Sequence, residues 1–120
     1  MLFYLDFIDV GKQGMETEFY KLEFYVPTEH LEPVKSALFA AGAGRIGKYD
    51  CCCWQTAGTG QFRPLPGSHP FIGRQEQIET VAEIKVEMVC ASAVIDAVIA
   101  ALLRTHPYET PAYQYWKVRG

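Results

Sequence analysis

Residues 80–107 read TVAEIKVEMVCASAVIDAVIAALLRTHP, and this stretch decides the fold. In its first half Ala82, Ile84, Val86, Met88 and Cys90 alternate with Glu83, Lys85 and Glu87. A period of two with one apolar and one charged side predicts a half-buried strand. Ser92 is then placed to cap a helix. Val94, Ile95, Val98, Ile99, Leu102 and Leu103 recur at helical spacing and predict one wide apolar stripe. His106-Pro107 ends it, because the residue before proline is driven out of the helical region.

The same order occurs upstream. Tyr20, Leu22, Phe24 and Val26 alternate with Phe19, Lys21, Glu23 and Tyr25, a second half-buried strand. Pro27 ends it, Thr28 is a capping residue, and Leu31, Val34, Leu38 and Ala41 fall on one helical face. Gly42 and Gly44 supply the positive φ that closes a helix. The unit from Val26 to Tyr49 is thus echoed by the unit from Val89 to Tyr113. Between them Tyr49 to Phe62 reads as a strand, with Gly58-Thr59-Gly60 predicting a bulge or bend. Three prolines make Pro64 to Gly73 a loop. Ala112 to Val118 is the last strand.

Strand, helix, strand, strand, helix, strand is the split βαβ arrangement. The expected fold is α+β: a ferredoxin-like βαββαβ sandwich, a four-stranded antiparallel sheet with two helices on one face and a long hairpin between the second and third strands. Residues 16–120 make this domain, and residues 1–15 are an N-terminal extension or extra strand.

Composition narrows the function. With 49% apolar and 21% charged residues the chain is an ordinary globular protein. A net charge of -3 and the absence of any Lys/Arg run argue against nucleic acid as a partner. The longest apolar run, Ala97 to Leu103, is far short of the roughly 20 residues of a spanning helix. No membrane partner is expected, and MLFYLDFIDV carries Asp6 and Asp9 but no basic start, unlike a signal peptide. Three of the four cysteines are adjacent, a poor disulfide framework, so a reducing, cytoplasmic location is expected.

Glycines 42, 44 and 47 match the dinucleotide pattern G-x-G-x-x-G, but they follow a helix and precede a strand, the reverse of what the pyrophosphate site needs. They read as a helix-ending turn, with Arg45 free to meet an anion. Cys51 and Cys53 share one face of the predicted strand, half of a soft-metal site or two small buried side chains. His106 and Glu109, three apart in a turn, can converge on a divalent metal ion, with His69 from the long loop as a third ligand. The plainer reading is a helix stop, with His106 complementing the helix dipole. Arg63 and Tyr108 are candidate ligand-binding residues beside Arg45. No G-x-S-x-G elbow or Walker A sequence is present, so no catalysis is expected of the chain on its own.

Several of these motifs together resemble one family. They are Gly42-Ala43-Gly44-Arg45-Ile46-Gly47-x-Tyr49, Cys51 to Trp54, and Gly58-x-Gly60-x-Phe62-Arg63-Pro64. They continue with Gly67 to Pro70, Ile72-Gly73 and His106-Pro107-Tyr108-Glu109-x-Pro111-Ala112-Tyr113. The set resembles the domain inserted in bacterial Nif-three-like, dinuclear-metal-centre proteins, over Phe19 to about Val118. The His106 to Glu109 turn also resembles that of CutA, the divalent-cation-tolerance protein. The resemblance implies a domain of the PII/CutA kind, which in those proteins assembles as a trimer. It implies a free-standing copy of the insert, without the flanking halves that hold the family's metal-binding histidines. Metal-dependent hydrolysis is therefore not implied, and His69 stands where the family pattern leads one to expect Asn. The function expected is a trimeric binding or regulatory module for a small molecule or a protein partner. The alternative is a CutA-like metal-binding protein using His106, Glu109 and His69.

Overall fold

The third strand forms the spine of the sheet. The computed structural model describes residues 18–120, and the extension expected at 1–15 lies outside them. The elements are β1 (Phe19–Pro27), α1 (Leu31–Ala40), β2 (Trp54–Phe62), β3 (Glu79–Ala91), α2 (Ile95–Thr105) and β4 (Tyr113–Val118). The sheet order is β2-β3-β1-β4, every neighbour antiparallel. β3 is the longest strand and pairs with β1 along one edge and β2 along the other.

Alternation sets the two faces, because a strand sends successive side chains to opposite sides. Leu22, Phe24 and Val26 of β1 and Ile84, Val86, Met88 and Cys90 of β3 are buried in one cluster. Leu31, Val34 and Leu38 of α1 and Ile95, Val98, Ala101 and Leu102 of α2 close it. Each fully buried Leu, Val or Phe contributes about 1.5–3 kcal/mol over leaving it in water. The stripe on α2 departs from expectation at Leu103, which is 49% exposed, while Ala101 is 1% exposed. Ala101, one turn after Val98, takes the core-facing position, and Leu103 lies off that face.

The opposite face is a charge ladder. Glu23 lies directly across from Glu87, a like-charge pairing that costs stability when unrelieved. Lys21 meets Glu87 at 3.3 Å and Lys85 meets Glu23 at 3.3 Å, so each carboxylate has a cation on the neighbouring strand. The bond to Glu23 raises the pKa of Lys85 above its ordinary value.

Both strand-to-helix junctions are built alike, which bears out the internal echo. Each passes through one short 3-10 turn, Thr28–His30 and Ser92–Val94. The expected capping side chains bond elsewhere: Thr28 Oγ1 donates to the Ala82 carbonyl (3.3 Å) and Ser92 Oγ to the Glu18 carbonyl (3.2 Å). α1 ends as expected. Gly42 has φ 109°, its N–H bonds to the Phe39 carbonyl and that of Ala43 to the Leu38 carbonyl, the Schellman pattern.

β2 starts at Trp54 rather than Tyr49. Residues 44–53 turn instead of extending: Gly44, Gly47 and Cys51 have positive φ, and Ile46 and Tyr49 exchange two backbone bonds of 2.9 Å. Nor does Gly58-Thr59-Gly60 form a bulge; its pairing with Glu83, Ala82 and Val81 is continuous. The glycine at 60 has another cause. A Cβ there would lie 2.2 Å from Glu83 Oε1, so the Glu83 carboxylate occupies that space. Four rungs of the β2–β3 hairpin, ending at Phe62 opposite Glu79, continue beyond the end of β1. The described residues accordingly span 59 × 24 × 21 Å, with a radius of gyration of 17.5 Å against about 13 Å for a compact domain of this size.

A candidate ligand cleft at the base of the hairpin

The loop 63–78 folds back from the hairpin onto the sheet end that carries the His106 to Glu109 turn. The backbone N–H of His69 donates to Glu109 Oε1 at 2.8 Å. Phe71 meets the ring of His30 edge-on, centroids 5.3 Å apart. Within the loop, Ser68 Oγ donates to the Leu65 carbonyl (2.6 Å) and Gln75 Nε2 to the Ser68 carbonyl (3.2 Å), and Pro64 is buried. The fold-back leaves a cleft of about 520 Å³ between loop, sheet and turn. Phe62, Leu65, Phe71 and Ile72 supply much of its apolar wall; Arg63, Glu83 and Glu109 are its charged residues.

His106 anchors the turn. It is 6% exposed, and its Nε2 faces the Tyr25 carbonyl at 2.7 Å. Its Nδ1 accepts the Tyr108 N–H at 3.1 Å. A carbonyl can only accept, so Nε2 carries the proton and Nδ1 the lone pair: the ring is neutral and this tautomer is fixed by its two partners. Burial pushes its pKa below the ordinary value, against the smaller raising pull of the Tyr25 carbonyl and the Glu83 carboxylate. With both nitrogens engaged, this geometry leaves no ring lone pair for a cation. His106 works as a brace between β1 and the turn.

Tyr108 carries the brace into the cleft. Its ring lies 5.0 Å from that of His106 and 5.8 Å from that of Phe62, centroid to centroid. Its hydroxyl donates to Glu83 Oε2 at 2.8 Å. Desolvation, then the bond to Glu83, push the phenol far above its ordinary pKa, so it stays a donor at all physiological pH. Glu83 thus sits over Gly60 with one neutral donor on it.

Of the residues singled out from sequence, Arg63, Tyr108 and Glu109 line this cleft, His69 reaches Glu109 through its backbone N–H with its side chain exposed, and His106 lies behind them. Arg45 does not. It lies on the turn after α1, beside Cys51, at the far end of a strand about 27 Å long. Cys51 and Cys53 do not share a face, because the strand begins after them. Cys51 is exposed with φ 56°, Cys52 Sγ donates to the Asp50 carbonyl at 3.6 Å, and Cys53 packs against the core. Among the described residues no three His, Cys, Asp or Glu side chains are grouped to hold a metal ion.

Two contributors went unseen in the sequence. Glu83 read only as one charge on a solvated strand face, though Gly60 in the partner strand was a signal of close approach. His30 carries no sequence signal of its own; its Nδ1 is buried with no hydrogen-bond partner among the described residues. Among those residues no helix is long and apolar enough to cross a membrane.

Comparison with known proteins places this geometry. No family model matches the chain. It is 46% identical over 98 residues to the GTP cyclohydrolase 1 type 2 homolog of Bacillus subtilis, 82% of this chain and 26% of that protein. The protein of that name from Mycobacterium tuberculosis is 47% identical over 93 residues, 78% of this chain and 24% of its own. A Bacillus cereus protein related to NIF3 superposes with a TM-score of 0.74 at 36% identity, over 88% of this chain and 27% of that one. The chain is a homologue of one segment of the NIF3-related proteins. It spans about a quarter of the relatives it matches. Beyond them, CutA of Xylella fastidiosa (TM-score 0.60, 21% identity) covers 83% of this chain with 83% of its own. GlnK of Bacillus subtilis, solved as a complex with ATP (0.58, 13%), covers 87% with 84%. Those two share the fold. The α+β, PII/CutA-like architecture and the NIF3-type resemblance expected from the motifs are both borne out.

Proposed function

We propose that the chain is a binding and regulatory module, assembled as a trimer, that holds a small ligand in the hairpin cleft and performs no catalysis of its own. The observation that carries the reading is the cleft. It is concave, walled by aromatic and aliphatic side chains, and carries a few convergent polar groups, the usual make-up of a ligand site. The polar groups at and behind its wall have structural partners rather than reactive ones: His106, behind it, is held on both nitrogens, and Tyr108, on it, is bonded to Glu83. The activity in the relatives' name belongs to chains of which this one spans about a quarter, and the reading does not extend to it.

Assembly rests on the resemblance to CutA and PII proteins and on a sheet edge that no further strand pairs among the described residues. β2 is an edge strand with Trp54 69% exposed, a surface that invites a further strand or chain. Light scattering at micromolar concentration is expected to give three times the chain mass; a strict monomer would overturn the trimer. For the cleft, a fragment library screened by amide NMR is expected to move resonances of Phe62, Phe71 and Tyr108 together. Hits confined to other surfaces would overturn the binding site.

A further inference from the structure

Resting on that reading of the cleft, we infer that its ligand is an organic cation: a protonated amine or amidine on a flat apolar body, with the positive group on Glu83.

The argument starts from the state of Glu83. It is half-buried at the cleft wall, pressed over the backbone of Gly60 where no Cβ intervenes. A carboxylate has about four acceptor positions, and among the described residues only the Tyr108 hydroxyl is bonded to this one. Two other carboxylates on this sheet face are neutralised: Glu23 and Glu87 each have a lysine at 3.3 Å, whereas among the described residues no Lys or Arg lies within ion-pair distance of Glu83 or of Glu79 farther out on β3, and of these two only Glu83 lines the cleft. A partly desolvated carboxylate with one neutral donor gains most from a cation that brings its own N–H groups.

The surroundings agree. Glu109 is a second carboxylate on the same cleft, with one oxygen on the His69 N–H. Among the described residues Arg63 is the one cationic side chain on the wall, exposed just past the end of β2, so the described lining carries a net charge of -1 from two Glu and one Arg. Phe62, Phe71 and Tyr108 offer ring faces and edges to a flat body and, with it, favour a nearby cation. A metal ion would want several oxygen ligands converging, and no such group exists among the described residues. An anionic ligand would be opposed by Glu83 and Glu109 and favoured by Arg63 alone among the charged lining residues described.

Three probes on one phenethyl body test this: phenethylamine, its isostere phenethyl alcohol, and the anion 3-phenylpropionate, each titrated by amide NMR into the protein and into Glu83→Gln. The amine is expected to shift Phe62, Phe71, Glu83 and Tyr108 and to bind at least tenfold tighter than the alcohol, with the propionate weakest. Glu83→Gln keeps the side-chain volume and an acceptor for Tyr108, and is expected to bring amine and alcohol within about twofold of each other. An alcohol or propionate that shifts the same residues as strongly as the amine would overturn the charge assignment and leave the cleft standing as a site. An amine preference that survives Glu83→Gln would also overturn it. If none of the three shifts cleft residues at millimolar concentration, the reading of the cleft as a ligand site fails and the inference with it.

Discussion

Replacing His106 by alanine tests the brace on which the cleft depends. The substitution removes an acceptor from the Tyr108 N–H and a donor from the Tyr25 carbonyl, and it empties a ring that is 6% exposed. Leaving a buried polar backbone group unpaired costs about 1–3 kcal/mol. Tyr25 and Tyr108 are only half-buried, so the lower end applies to each. With lost ring packing, the total is about 2–4 kcal/mol. At about 4 °C per kcal/mol for a domain of this size, Tm falls by roughly 8–16 °C.

A second signature comes from pH. Burial lowers the pKa of His106 from its ordinary 6.5. Between the folded and unfolded values the unfolded chain therefore binds more protons, and stability rises with pH there. The contribution is complete above about pH 6.5 and declines as pH falls below it, because protonation would set an Nδ1–H against the Tyr108 N–H. Urea unfolding followed by circular dichroism, at fixed protein concentration and at pH 7.5 and 5.5, reads both effects. The native chain is expected to lose stability at the lower pH and His106→Ala to lose less. A loss under 0.5 kcal/mol at pH 7.5, together with an unchanged pH slope, would refute the reasoning.

Other substitutions separate the elements of the account. Gly44→Ala places a Cβ 2.8 Å from the Cys52 carbonyl oxygen at φ 78°, where neither backbone gives way; a loss of about 2 kcal/mol or more is expected by urea unfolding. Gly60→Ala meets only the flexible end of Glu83. Its expected effect is a shift of the Glu83 and Tyr108 NMR signals with under about 1 kcal/mol of destabilisation. Leu102→Ala, at 0% exposure, is expected to cost about 2–5 kcal/mol, and Leu103→Ala, at 49%, under about 1. In thiol labelling at pH 8, Cys51 is expected to react and Cys90 to stay silent until unfolding, because Cys90 is buried and its pKa is pushed up to about 11.

The fold was legible because periodicity and punctuation agreed. Alternation in residues 82–90, helical spacing from Leu31 and from Ile95, and Gly42 at a helix end each pointed to one arrangement. The site was legible only in part. His106, Tyr108, Glu109, Arg63 and His69 stood out by type, but their roles are set by a loop that returns across about 40 residues to touch Glu109. No local pattern encodes that return. Glu83 was hidden for the same reason: its neighbours on the strand are ordinary surface charges, and what distinguishes it lies on β2 and in the turn. The start of β2 was misread because Cys51 adopts a left-handed conformation that a non-glycine residue rarely advertises.

A crystal of the protein soaked in a mixture of small aromatic amines puts the central claim to its most direct test. The account predicts density between Phe62, Phe71 and Tyr108, with a nitrogen within hydrogen-bond distance of Glu83. Amines found only elsewhere on the surface, with the cleft holding none, would contradict it.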